Sequence, residues 1–383
     1  MKKLFLSMLM DMMALGAVAQ DGIFTVKGTF DWKKDSVKFV IAPSQSDSYG
    51  PTLTKKRAIT GEMMEVSFSL KEAAMLYVVF NENGKQSRLK EIPAIPGETV
   101  EFYRDGDNVT RRRGSQFYLD YNEAEQSIKA PLKEVTNIIA EIDKKYSMGV
   151  PFEEIQKEYD EPYEACYDVY KNALMDYVKA HPDQEASAVI IATIGETHSD
   201  SMLEDMEASV ALLTERVQSS SAAGLYKVIL EPAKKKREKD ERQAALVGNM
   251  APDFTLMDIN GKPLALSSLR GKWVVIDFWG SWCGWCIKGM PQMKEYYAKY
   301  QDRLEILGVD CHDTDERWKA AVAKNELPWL HVYCDDKKGD NPEKLYVVES
   351  YPTKVVVDPE GKVAKIIRGE DPTFYDYLDE VLK

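Results

Sequence analysis

The residues best suited to chemistry are two cysteines in the run Trp282-Cys283-Gly284-Trp285-Cys286. A continuous apolar stretch, Trp273–Trp279, precedes them, and a helical pattern with Cys286, Met290, Met293, Tyr297 and Tyr300 on one face follows. A thiol where a strand hands over to a helix meets free backbone N–H groups and the positive end of the helix dipole, which favour thiolate over thiol. Cys283 on the first turn is therefore expected to be the exposed nucleophile. Cys286, one turn further in, is placed to attack its sulfur and resolve a mixed disulfide.

Other chemistries fit the pair poorly. A structural zinc site needs a second ligand pair at metal spacing, and His181, His198, His312 and His331 are scattered. Covalent haem attachment needs a histidine directly after Cys286, where Ile287 stands. A purely structural disulfide across so short a loop gains little closure entropy. No metal and no cofactor beyond the redox-active disulfide is expected. Of the other cysteines, Cys166 lies on a helical stripe and reads as a small core residue. Cys311 and Cys334 end two apparent parallel strands at 304–310 and 329–333, and two free thiols are preferred over a second disulfide.

Stepping outward, residues 247–383 alternate strands and helices: strands at 273–279, 304–310, 355–357 and 363–367, and helices at 316–325 and from about 374. That pattern describes an α/β domain with a mixed sheet and flanking helices. Residues 22–113 are expected to form a small β-rich accessory domain, with strands near 24–30, 37–41, 65–70 and 76–80. Residues 115–245 read as a helical region. One amphipathic stripe runs through Ile128, Leu132, Val135, Ile139, Ile142 and Tyr146, another through Tyr163, Cys166, Tyr170, Leu174 and Tyr177. The charged segment 232–242 is expected to be a hinge.

A chain of 383 residues exceeds one ordinary core. The net charge of −13 argues against nucleic acid or an anionic membrane surface as partner. The basic runs at 111–113 and 234–237 read as solvated loop or helix ends. Residues 1–19 read as a signal peptide: Lys2 and Lys3, an apolar stretch flawed by Asp11, then Ala17-Val18-Ala19 at a cleavage site.

The run Val275-Ile276-Asp277-Phe278-Trp279-Gly280-Ser281-Trp282-Cys283-Gly284-Trp285-Cys286, with Pro291 after it, resembles the thioredoxin superfamily, in particular the TlpA/ResA-like thiol–disulfide interchange proteins. Asn249-Met250-Ala251-Pro252-Asp253-Phe254 resembles that branch's N-terminal signature, and Gly369 its glycine after the last strand. The resemblance implies that Tyr351-Pro352-Thr353 is the cis-proline motif facing the cysteines, and that Asp277 is the buried proton acceptor for the second cysteine. Cys283, Cys286, Asp277 and Pro352 are then the catalytic set, with Trp282, Trp285, Tyr351 and Thr353 against the substrate. Several relatives carry a glutamate three residues after the second cysteine; here Gly289 stands there, so the relay is expected to rest on Asp277 alone.

The resemblance implies a thiol–disulfide oxidoreductase of the periplasm or cell envelope. Its partners would be oxidised envelope proteins, apocytochrome thiols among the candidates, with electrons from a membrane-embedded thiol donor. Two other readings are a peroxiredoxin-like antioxidant and a non-catalytic binding or assembly module. The first needs Pro and Thr ahead of a single cysteine, and 278–282 has neither.

Overall fold

A computed structural model describes residues 22–30, 35–42, 52–88, 91–105, 109–195, 201–334 and 341–383. The signal-peptide expectation lies outside them. The chain divides into two compact units, up to Lys234 and from Lys235 to Lys383.

In the first unit the four expected strands form as Gly22–Thr29, Ser36–Ala42, Met63–Leu70 and Ala74–Glu82. They join two sheets. In one, Gly22–Thr29 pairs antiparallel with Met63–Leu70 and parallel with Thr99–Asp105, which also pairs with Val109–Gly114. In the other, Ser36–Ala42 lies between Leu53–Ala58 and Ala74–Glu82. Leu53–Ala58 escapes the sequence reading because all six residues are exposed and no alternation marks it. Val109–Gly114 corrects the expectation of a solvated basic loop: it is a strand, with Arg112 ion-paired to Glu125 and Arg113 Nη2 2.7 Å from Glu101 Oε1.

The helical region opens with Gln116–Ser147 and Phe152–Ala180. The first stripe is buried only in its N-terminal part: Ile128 and Val135 are covered, whereas Ile139 and Tyr146 are exposed. In the second, Tyr170, Leu174 and Tyr177 are buried and Cys166 half-buried, its thiol donating to Tyr163 O at 3.3 Å. The short helix Ala186–Gly195 is nearly all apolar and buried on most sides, so no stripe reveals it.

Segment 232–242 is not a loop hinge. It lies wholly within the helix Gly224–Ala244, which continues past Pro232, and the division between the units falls inside that helix. Its last turns are fastened within the second unit. Gln243 Nε2 donates to the carbonyls of Tyr346 and Val347, and Arg368 Nε donates to Gln243 Oε1 at 2.7 Å. Two members of the basic run here are ion-paired, Lys234 with Glu207 at 3.5 Å and Arg237 with Glu241 at 3.9 Å, and Lys235 and Lys236 are exposed.

The second unit is the expected mixed sheet. Its strand order is Leu330–Cys334, Leu304–Cys311, Trp273–Trp279, Thr353–Val357, Val363–Arg368. The first three run parallel and the last two antiparallel to their neighbours. Apolar cores fill both faces, which is why Trp273–Trp279 reads as a continuous run rather than an alternation. Burying side chains such as Phe278 and Val275 contributes roughly 1.5–3 kcal/mol each. The helices Gly284–Tyr300 and Thr373–Val381 supply much of one core, and Asp315–Lys324 follows Leu304–Cys311.

Candidate active site

The central strand ends at Trp279, and four residues later the helix Gly284–Tyr300 begins. Cys283 is the N-cap, with φ −84° and ψ 99°, and Cys286 N donates to Cys283 Sγ at 3.1 Å. The sulfur thus takes the place that a Ser or Asp oxygen usually fills at a helix start. Cys283 and Cys286 are joined as a disulfide, with Cα atoms 5.3 Å apart. The expected difference in exposure is not found: Cys283 is 5% and Cys286 4% exposed. What separates them is position on the helix, the cap against the first turn.

The approach to the cysteines is held from the neighbouring strand's end. Ser281 N and Oγ both donate to Asp313, at 2.6 and 2.7 Å, and Trp282 Nε1 donates to Cys311 O at 3.0 Å. Gly280 is required here, because a Cβ would stand 2.4 Å from Trp282 Nε1. Trp282 and Trp285 form an exposed rim, 45% and 63% accessible, and Lys288 Nζ sits 4.8 Å from the Trp285 ring centre. The Tyr351 ring meets Trp282 edge-on at 5.1 Å.

The Tyr351–Pro352 bond is cis, as the motif implied, and Pro352 O accepts from Gly369 N at 2.7 Å. Tyr351 donates its hydroxyl to Glu343 Oε1, and burial followed by that bond keeps the phenol protonated far above its usual range. Thr353 corrects an expectation. It is fully buried and its hydroxyl donates to Ser350 O at 2.7 Å, so its side chain does not face a substrate.

Asp277 is buried in the central strand, its Oδ1 without a hydrogen-bond partner among the described residues. Burial pushes its pKa up to about 6; Lys354 pulls it down and Glu370 adds to the rise. Lys354 lies on the strand paired to Asp277, in direct register with it. Its Nζ is 2.7 Å from Glu370 Oε1, and it is 1% exposed. A Cβ at Gly289 would lie 2.4–2.5 Å from the Glu370 carboxylate. The carboxylate therefore stands in the space above Gly289, three residues beyond Cys286, and needs a residue without a side chain there. The expectation of Asp277 acting alone is corrected: three charged side chains, Asp277, Lys354 and Glu370, form one electrostatic group. Lys354 and Glu370 were missed because they lie far along the chain from Asp277, one within a strand and one just after the next. The signal for one existed, a lysine inside an otherwise apolar strand, Thr353–Val357.

A central strand, a cysteine-capped helix, a cis-proline and a disulfide across the helix start define a thioredoxin-fold protein. Comparison with known proteins agrees. The chain matches the AhpC/TSA family over residues 247–366. It is 38% identical over 138 residues to the thiol-disulfide oxidoreductase ResA of Bacillus thuringiensis, covering 36% of this chain and 77% of that protein. The Bacillus subtilis ResA is 32% identical over 135 residues, covering 34% and 74%. Among solved structures, the thioredoxin domain of a thiol-disulfide oxidoreductase from Bacteroides vulgatus aligns with a TM-score of 0.33 and 28% identity, over 36% of this chain and 98% of that one. A thiol:disulfide interchange protein from a Bacteroides species gives 0.32 and 30%, over 36% and 90%. The chain belongs, through its C-terminal domain, to the ResA-like thiol–disulfide oxidoreductases, and it is an oxidoreductase with a further N-terminal unit.

Proposed function

We propose that the protein exchanges disulfides with oxidised proteins of the cell envelope through Cys283 and Cys286. In the reduced enzyme the Cys283 thiolate attacks a substrate disulfide, and one substrate sulfur leaves as thiolate. Cys286 then gives its proton to Asp277 and attacks the Cys283 sulfur of the mixed bond. The second substrate thiolate leaves and takes up a proton, and the enzyme is left with the Cys283–Cys286 disulfide. Two electrons pass from enzyme to substrate. A thiol donor, membrane-embedded in this reading, restores the dithiol.

The observation that carries the reading is the place of Cys283 Sγ at the cap, accepting from Cys286 N at 3.1 Å. Hydrogen bonding and the helix field both stabilise a thiolate there. Asp277, with a pKa of about 6, can hold or release a proton near neutral pH. The export pattern at 1–19 supports an envelope location, and no helix among the described residues is long and apolar enough to cross a membrane. The AhpC/TSA match covers the fold common to peroxiredoxins, but two cysteines bridged three residues apart favour interchange over peroxide reduction.

Trapping tests it. Cys286→Ser is expected to accumulate mixed disulfides with envelope proteins, as higher-mass bands that vanish on reduction, and Cys283→Ser is not. Equal trapping by both variants would reverse or remove the assignment of attacker and resolver. No turnover by the wild type on a model disulfide substrate would favour a binding module instead.

A further inference from the structure

On the other side of the sheet's C-terminal edge the fold gathers donor atoms that the redox reaction does not use. The strands Leu304–Cys311 and Leu330–Cys334 are parallel, and their register pairs Cys311 with Cys334. Paired residues of neighbouring strands present their side chains to the same face. Both thiols are buried, 0% and 2% exposed, and unbonded to each other. The short helix Pro342–Leu345 brings Glu343, also buried, against them, with Oε2 3.8 Å from Cys334 Sγ. One ligand atom from each of the three lies within 4.8 Å of the others.

Glu343 also faces out of the cluster, its Oε1 accepting from the Tyr351 hydroxyl. Glu343 Oε1 lies 3.0 Å from His312 Nε2, and His312 has a left-handed backbone, φ +60°. A groove of about 770 Å³, lined by His312, Glu343, Tyr351, Asn341, Lys239 and Arg242, reaches the same carboxylate. Two thiols and a carboxylate converge on one point, the arrangement a cation would complete.

We propose that Cys311, Cys334 and Glu343 form a site for one divalent metal ion of the zinc class, distinct from the redox disulfide. Two soft thiolates and a harder carboxylate form a mixed donor set suited to borderline, tetrahedral Zn²⁺, and the fourth position falls to water or an incoming ligand. Binding displaces one proton from each thiol, so two protons go to solvent per ion and no electrons move. A disulfide between the two sulfurs would have no use for the carboxylate beside them. The four histidines, the usual signal, are scattered along the sequence. The site assembles only when two parallel strands bring their last residues into register.

The test uses the full chain with Cys283 and Cys286 kept oxidised, so that neither can ligate. Titration with Co²⁺ is expected to give one ion per chain, a near-ultraviolet thiolate-to-cobalt band and visible bands of tetrahedral cobalt, all displaced by Zn²⁺. Cys311→Ser and Cys334→Ser should each weaken Zn²⁺ binding at least ~100-fold and Glu343→Gln about tenfold, while Cys166→Ser leaves it unchanged. Glu343→Gln carries the test if a serine variant does not fold. Absence of the thiolate band, or a Cys311→Ser variant that binds as tightly as the wild type, overturns the proposal. So does a Cys311–Cys334 linked peptide in protein kept from oxidants. Interchange activity is read separately, so failure here leaves the redox assignment standing.

Discussion

Asp277 carries its cost in the folded state. Its pKa is about 6 when folded, against an ordinary 3.8, because burial disfavours the anion. The stability that comes from holding it neutral is fully present below about pH 4 and is lost as pH rises through about 6. A shift of two units corresponds to about 3 kcal/mol. Asp277→Asn is therefore expected to raise unfolding stability at pH 8 by about 1–3 kcal/mol, with the difference closing toward pH 4, while turnover near neutrality slows. Urea titrations at the two pH values check the first part and a disulfide-reduction assay the second. A variant equally stable relative to wild type at both pH values would mean that the carboxylate is solvated.

Two strands and the turn after the second determine the charge around that residue. Thr353–Val357 places Lys354 in register with Asp277, and Val363–Arg368 followed by Gly369 delivers Glu370 above Gly289. Lys354 lowers the Asp277 pKa and Glu370 raises it, so substitutions must act in opposite directions. Lys354→Met is expected to move the acid limb of the turnover profile to higher pH, and Glu370→Gln to lower pH. Both variants should also cost stability, since each leaves the other charge inside without its partner. Shifts of the same sign in both variants would sink the three-residue account. A second element effect lies in the turn before Cys283, where Asp313 holds Ser281 by two hydrogen bonds. Asp313→Ala is expected to lower turnover several-fold without displacing the pH profile, because it loosens the position of Cys283 rather than its protonation.

At the scale of the molecule, the first unit and the second own separate hydrophobic cores. Calorimetry is expected to resolve two unfolding transitions, and reduction of Cys283–Cys286 should move only the one belonging to the second unit. A single transition that shifts as a whole on reduction would show that the two cores melt as one. Cys283, Cys286, Asp277 and Pro352 all lie in the second unit.

Where chemistry depended on neighbours in the chain, the sequence was enough. The Cys283–Cys286 spacing, the apolar run Trp273–Trp279 and the amphipathic face after it encode a strand, a cap and a helix turn, all set by local periodicity and backbone groups. The order of strands and helices followed for the same reason, because each carried its own local signal, an apolar run, an alternation or a 3.6-residue stripe. Exposed Leu53–Ala58 and buried Ala186–Gly195 carried neither pattern and were missed. The segment 232–242 looked like a hinge from its charge, yet its helix end is fastened by Gln243 and Arg368, side chains whose partners lie roughly a hundred residues apart. The same holds for Glu370 over Gly289, Lys354 beside Asp277, and Cys311 against Cys334 and Glu343. Only the tertiary structure decided these, since sheet register and the crossing of strands bring together residues whose sequence neighbours say nothing of one another.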